Sequence, residues 1–115
     1  MNYPLTHIPA RPVKPREAGL TMVMDQGLAM RQAEDMIEAS GGLIDLVKLG
    51  FGTSFVTTKL KEKVKLYQKS GIRPYLGGTL FEAFVARGMF KEYRKLIDDL
   101  GLDAAEVSDG SINMP

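Results

Sequence analysis

The sequence predicts an α/β fold made of repeated strand-then-helix units around a parallel sheet. Two observations carry this expectation. Short apolar runs near 20–25, 43–48, 72–76 and 104–108 recur at intervals of roughly 25 to 30 residues, with helix-periodic sequence between them. The runs are also near-continuous rather than alternating, as strands covered on both faces require.

Residues 1–18 come first and stand apart. Pro4, Pro9, Pro12 and Pro15 among Arg11, Lys14 and Arg16 exclude a regular helix or a central strand, so this segment is an extended, polar arm. The body, 19–115, starts with Gly-Leu-Thr-Met-Val-Met, the first strand, ending at Asp25. Met30, Ala33, Met36 and Ile37 then share one helical face, and Gly41-Gly42 ends that helix. The second strand ends at Lys48, before a Gly-, Thr- and Ser-containing turn. Val56, Leu60, Val64 and Tyr67 mark the buried side of the next helix, 55–69. Lys59, Lys61, Lys63 and Lys65 are read as its solvated face, since a nucleic-acid patch would need arginine or aromatic partners.

The third strand leads into Leu-Gly-Gly-Thr-Leu-Phe-Glu. Gly77 and Gly78 permit a tight turn and close approach of a ligand, and Thr79 with Glu82 fits a capping box on the helix that follows. Outward-facing N–H groups in such a turn suit a phosphate or carboxylate. That helix is interrupted near Gly88. Phe90, Tyr93, Leu96, Ile97 and Leu100 line the next buried face, before a fourth strand ending in Ser108-Asp109-Gly110-Ser111.

Composition narrows the function. A formal charge of +1 argues for neither nucleic acid nor membrane as a partner, and the absence of cysteine excludes thiolate metal sites. The lone His7 lies in the arm and reads as solvated. No stretch approaches the roughly 18 apolar residues of a membrane span, and there is no signal-peptide core. The expectation is a soluble, cytoplasmic chain.

Right-handed crossovers bring all strand C-termini to one rim. Asp25, Lys48, Gly77, Gly78, Thr79, Glu106, Ser108 and Asp109 are therefore expected together, in the layout of a (β/α)8 TIM-barrel active face. Such barrels take about 250 residues, so the 115 residues read as the first four βα units, a half-barrel. Pro115 would suit the first turn of a further helix. Alone, a half-barrel exposes strand edges and one side of its interior, which points to a fragment or to a homo-oligomer.

Four segments carry a resemblance to a known family: 11–28 (Arg-Pro-Val-Lys-Pro-Arg-Glu-Ala-Gly-Leu-Thr-Met-Val-Met-Asp-Gln-Gly-Leu), 44–54 (Ile-Asp-Leu-Val-Lys-Leu-Gly-Phe-Gly-Thr-Ser), 77–82 (Gly-Gly-Thr-Leu-Phe-Glu) and 106–111 (Glu-Val-Ser-Asp-Gly-Ser). In order and spacing they resemble the phosphosulfolactate synthase family. The resemblance implies a TIM barrel that adds sulfite to phosphoenolpyruvate with Mg²⁺, giving (2R)-phospho-3-sulfolactate for coenzyme M or other sulfonate synthesis. On that footing Lys48 is the catalytic cation on the substrate carboxylate or phosphate, Gly77, Gly78, Thr79 and Ser108 bind substrate, and Glu106, Asp109 and Asp25 are the carboxylates for Mg²⁺. A general-acid lysine is expected in the barrel's second half. Position 26 is Gln where the family often has lysine. Two other readings are a non-enzymatic relative similar to plant heat-stress-associated proteins, and a half-barrel interaction module.

Overall fold

The computed structural model describes residues 2–113. The helix start that Pro115 would suit lies outside them. Strands β1 (Met22–Asp25), β2 (Leu46–Leu49) and β3 (Arg73–Leu76) form a parallel sheet in the order β1-β2-β3. Helix α1 (Met30–Ser40) joins the first two strands and α2 (Leu60–Lys69) the second and third. Helices α3 (Gly78–Ala86) and α4 (Phe90–Leu100) follow β3, parted at Gly88, whose φ is +66°.

The register sorts side chains onto two faces. Met24, Lys48 and Tyr75 stand side by side in the ladder, as do Asp25, Leu49 and Leu76. Successive strand residues point to opposite faces, so Asp25 shares its face with Val23, Val47, Leu49, Pro74 and Leu76. That face is covered by helices, and its Val47, Leu49 and Leu76 pack with Ala33 of α1 and Val64 and Tyr67 of α2 in one buried core. The other face, carrying Met24, Lys48 and Tyr75, is only half-buried. The expected parallel sheet is present with three strands, and its second face is less covered than the continuous apolar runs implied.

Three expectations are corrected. Residues 104–108 do not form a fourth strand. The segment is extended with every second residue turned inward, Leu102, Ala104, Glu106 and Ser108, but it makes no rung with β3 and is held by side chains instead. Helix α2 begins at Leu60 rather than near 55. Residues 50–55 instead form tight 3-10 turns in which Phe51 (φ 54°) and Gly52 (φ 72°) are left-handed and break any helix there. Third, Lys63 is not on a solvated face. It is 1% exposed, beneath the loop that enters α1.

The proline-rich arm is fastened to the N-terminal ends of the strands. Arg16 Nη1 donates to Asp45 Oδ1 at 2.7 Å and its Nη2 to the Gly42 carbonyl. Arg11 donates to Thr21 and Asp45, and Lys14 Nζ to the carbonyls of Gly41 and Gly71. Asp45 also accepts the Thr21 N–H. That bond, with Arg16 and Arg11 beside it, holds its carboxyl below the usual range. The three arm cations thus serve as internal clamps.

Candidate active site

At the C-terminal end of the sheet, Lys48 projects from β2 on the open face. Its Nζ lies 3.0 Å from Glu106 Oε1 and 2.9 Å from Oε2. Glu106 Oε1 also accepts the Gly78 N–H, the first amide of α3, at 3.1 Å. One carboxylate oxygen is therefore gripped by an ammonium and by a helix N-terminal amide, where partial positive charge is concentrated.

The glycine turn makes this approach possible. A Cβ on Gly78 would collide with Ser108 Oγ and come within 2.6 Å of Glu106 Oε1 and 2.9 Å of Ser108 Cβ. A Cβ on Gly77 would stand 3.1 Å from Lys48 Cε. Helix α3 is capped by Gly77, with Thr79 already inside its first turn, so the expected capping box is absent. Glu82 instead accepts hydrogen bonds from the Ser108 hydroxyl and from the Ser111 N–H and hydroxyl. Those bonds, Ser108 first, hold its carboxyl below the ordinary value.

The expected residues separate into two groups. Lys48, Gly77, Gly78, Glu106 and Ser108 come together. Thr79 is exposed and lines an apolar groove of about 410 Å³ with Phe51, Phe55 and Phe84, a groove that Lys48 does not line. Asp109 is exposed on the loop after Ser108. Asp25 sits on the helix-covered face, where Gly27 and Leu28 N–H groups donate to Oδ1, and the Tyr67 hydroxyl and Lys63 ammonium to Oδ2. Burial pushes the Asp25 carboxyl up, but the bonds from Leu28, Tyr67, Gly27 and Lys63 outweigh it and leave it below normal. Burial, then Asp25, drives the Tyr67 hydroxyl far above its usual value.

These contacts decide how well Mg²⁺ would fit. All the lone pairs of Asp25 are taken, so it is withdrawn as a metal ligand. No cluster of three or more metal-binding side chains occurs among the described residues. The carboxylates left for a cation are Glu106, already paired with Lys48 and the Gly78 N–H, and Asp109, exposed and apart from them.

Two tyrosines escaped the sequence reading. Tyr75 shares the Lys48 rung, and burial, then Glu106, raises its hydroxyl pKa, with Lys48 opposing. The Tyr93 hydroxyl is buried without a partner among the described residues, and burial, then Glu106, raises it too. Tyr75 was legible in principle, being two residues from Arg73 on the open face. Tyr93 reads from sequence only as core.

A parallel βα sheet with a lysine, a helix-terminal amide and a carboxylate converging at its C-terminal rim defines an α/β protein of the kind found in part of a TIM barrel. Residues 9–115 match the family of (2R)-phospho-3-sulfolactate synthase (ComA). Phosphosulfolactate synthase of Methanocaldococcus jannaschii is 44% identical over 97 residues, which cover 83% of this chain and 39% of that protein. The namesake from Methanothermobacter thermautotrophicus is 37% identical over 108 residues (92% and 42%), and that from Bacillus subtilis 34% over 114 (99% and 45%). The chain belongs to the phosphosulfolactate synthase family, and spans under half the length of these relatives. No helix among the described residues is long and apolar enough to cross a membrane.

Proposed function

We propose that the chain forms the anion-holding half of a barrel that adds sulfite to phosphoenolpyruvate, giving (2R)-phospho-3-sulfolactate. One observation carries this reading: Lys48 and the Gly78 N–H already converge on a single carboxylate oxygen, at 3.0 and 3.1 Å. A substrate carboxylate could take the same two donors.

In the reaction the sulfur lone pair of sulfite forms a bond to the methylene carbon of phosphoenolpyruvate. The carbon–carbon π pair moves toward the carboxylate, and the neighbouring carbon then takes a proton. Charge therefore grows on the carboxylate as the carbon–sulfur bond forms. A cation already oriented at that oxygen stabilises the transition state more than the ground state. Lys48 supplies that cation and Gly78 a fixed dipole, with Gly77 keeping the backbone open to close approach. Ser108 stands beside Gly78 with its one O–H given to Glu82, and would reach a substrate oxygen only by exchanging that partner. Bound Mg²⁺, for which Glu106 and Asp109 are the remaining carboxylates, would add Lewis-acid stabilisation of the same charge. The general acid is assigned to a lysine outside these residues.

The relatives' shared synthase name favours this enzyme reading over a heat-stress-type binding protein. Cytoplasmic location and homo-oligomerisation belong to the same proposal. The latter is supported by the open sheet face and by exposed Phe51, Phe55 and Val56.

The test is phosphorus NMR of phosphoenolpyruvate with sulfite and Mg²⁺, using a protein that carries these residues within an entire barrel. Lys48→Ala should lower turnover by about 10² to 10³, and exposed Lys61→Ala should not change it. Equal turnover in wild type and Lys48→Ala would refute the role of the rim.

A further inference from the structure

The structure assigns Glu82 as the positioning residue of the rim: through Ser108 and Ser111 it fixes the segment that presents Glu106 to Lys48 and Gly78. The assignment rests on the rim reading above only for its functional meaning; its geometry stands alone.

Glu82 is an acid only 4% exposed on a helix, and nothing in the proposed chemistry employs it. A buried carboxylate is retained only when its lone pairs are filled. Its partners lie on one segment, at Ser108 and Ser111 with the Ile112 backbone beside them. Residues four apart on a helix share a face, as do residues two apart in an extended chain. Gly78 and Glu82 therefore form a stripe on α3, and Glu106 and Ser108 form the matching stripe opposite. Gly78 meets both of those residues, with no room for a Cβ, while Glu82 takes Ser108 and reaches on to Ser111. The segment has no rung to β3, so this helix face does the work that strand pairing does elsewhere in the sheet. Glu82 makes no hydrogen bond or ion pair with Lys48 or Glu106 and acts on them through the segment.

Amide hydrogen exchange on the 115-residue chain tests the assignment, in wild type, Glu82→Ala and Glu82→Gln. The informative amides are Gly78, whose acceptor is Glu106, and Ser111, whose acceptor is Glu82. Gly77, bonded to Leu49, and Phe81, bonded to Gly77, are the internal references. Glu82→Ala should speed exchange at Gly78 and Ser111 at least about tenfold and leave Gly77 and Phe81 unchanged. Glu82→Gln should keep most of the protection, because its carbonyl still accepts from Ser111 and its amide can donate to Ser108. Unchanged exchange at Gly78 in Glu82→Ala would overturn the assignment. So would a uniform rise across all four amides in both variants, which would mark general loosening. Should Glu82→Ala not fold, the double variant Ser108→Ala/Ser111→Ala removes the two hydroxyl bonds and keeps the Ser111 N–H bond, so faster exchange is then expected at Gly78, and unchanged exchange there would overturn the assignment. Turnover is not the readout, so an absence of synthase activity in a complete barrel would leave Glu82's role standing while removing the reaction proposed for the site.

Discussion

Lys63 Nζ lies 3.0 Å from Asp25 Oδ2 and 2.8 Å from the Leu28 carbonyl oxygen, so one buried ammonium ties the end of β1 and the entry to α1 onto α2. Removing one member of a buried pair strands the other's charge, at a typical loss of about 3–5 kcal/mol. Lys63→Ala should therefore lower the urea midpoint sharply. Combining Lys63→Met with Asp25→Asn should be milder than the sum of the single changes, with a coupling above about 1 kcal/mol. A loss under about 1 kcal/mol for Lys63→Ala would contradict the buried pair.

Stability should fall in acid. Asp25 and Glu82 both have folded-state carboxyl pKa values below the ordinary one. The unfolded chain therefore binds protons first as pH drops, and stability falls with it. Their contribution is complete above the unfolded values near 4 and is lost as pH passes down through the folded ones. Tyr67 is shifted upward, so its contribution is present below its unfolded value near 10 and is lost as pH rises beyond it. Denaturant midpoints across pH 2–11 should show both limbs, with the acid limb shallower in Glu82→Gln.

Gly78→Ala should displace the rim segment without unfolding the core. The added methyl meets Ser108 Cβ as well as flexible side-chain ends, so rotation of side chains alone does not relieve it. Limited proteolysis should cut within 106–111 faster. Gly42→Ala, where a Cβ meets nothing within 4 Å, should stay within about 0.5 kcal/mol of wild type.

Phe51→Gly should stabilise the chain. Phe51 is left-handed, which disfavours a side chain by about 1–2 kcal/mol, and it is 65% exposed, so little packing is lost. Set against the greater chain entropy of glycine, the net gain is up to about 1 kcal/mol, a rise of several degrees in Tm. A lower Tm would show that the ring packs in solution.

Much of this architecture was legible in the sequence because its signals are local. Glycines at 41 and 88 end or break helices where expected, and the apolar runs expected near 20–25, 43–48 and 72–76 overlap the three strands that pair in parallel. What failed depends on distant partners. Ala104 to Val107 looks like any strand, and nothing nearby shows that its neighbour offers a helix face in place of a ladder. Asp25 was expected at the rim because it ends a strand; register, set by the whole sheet, turns it to the other face. Lys63 was hidden by its charge, although its i,i+4 spacing to Tyr67 and its place beside Val64 put it on the buried stripe.

The attachment of the rim segment by side chains rather than by rungs has a kinetic consequence. Each rung of the sheet joins strands consecutive in sequence, so the sheet can grow by short loop closures, one unit at a time. The Glu82 bonds need α3 to be formed and docked before they can close. Contacts made so late are weak in the transition state, and they set how fast the native chain opens rather than how fast it forms. In stopped-flow chevrons, Glu82→Ala should raise the unfolding limb and leave the refolding limb within about twofold of wild type.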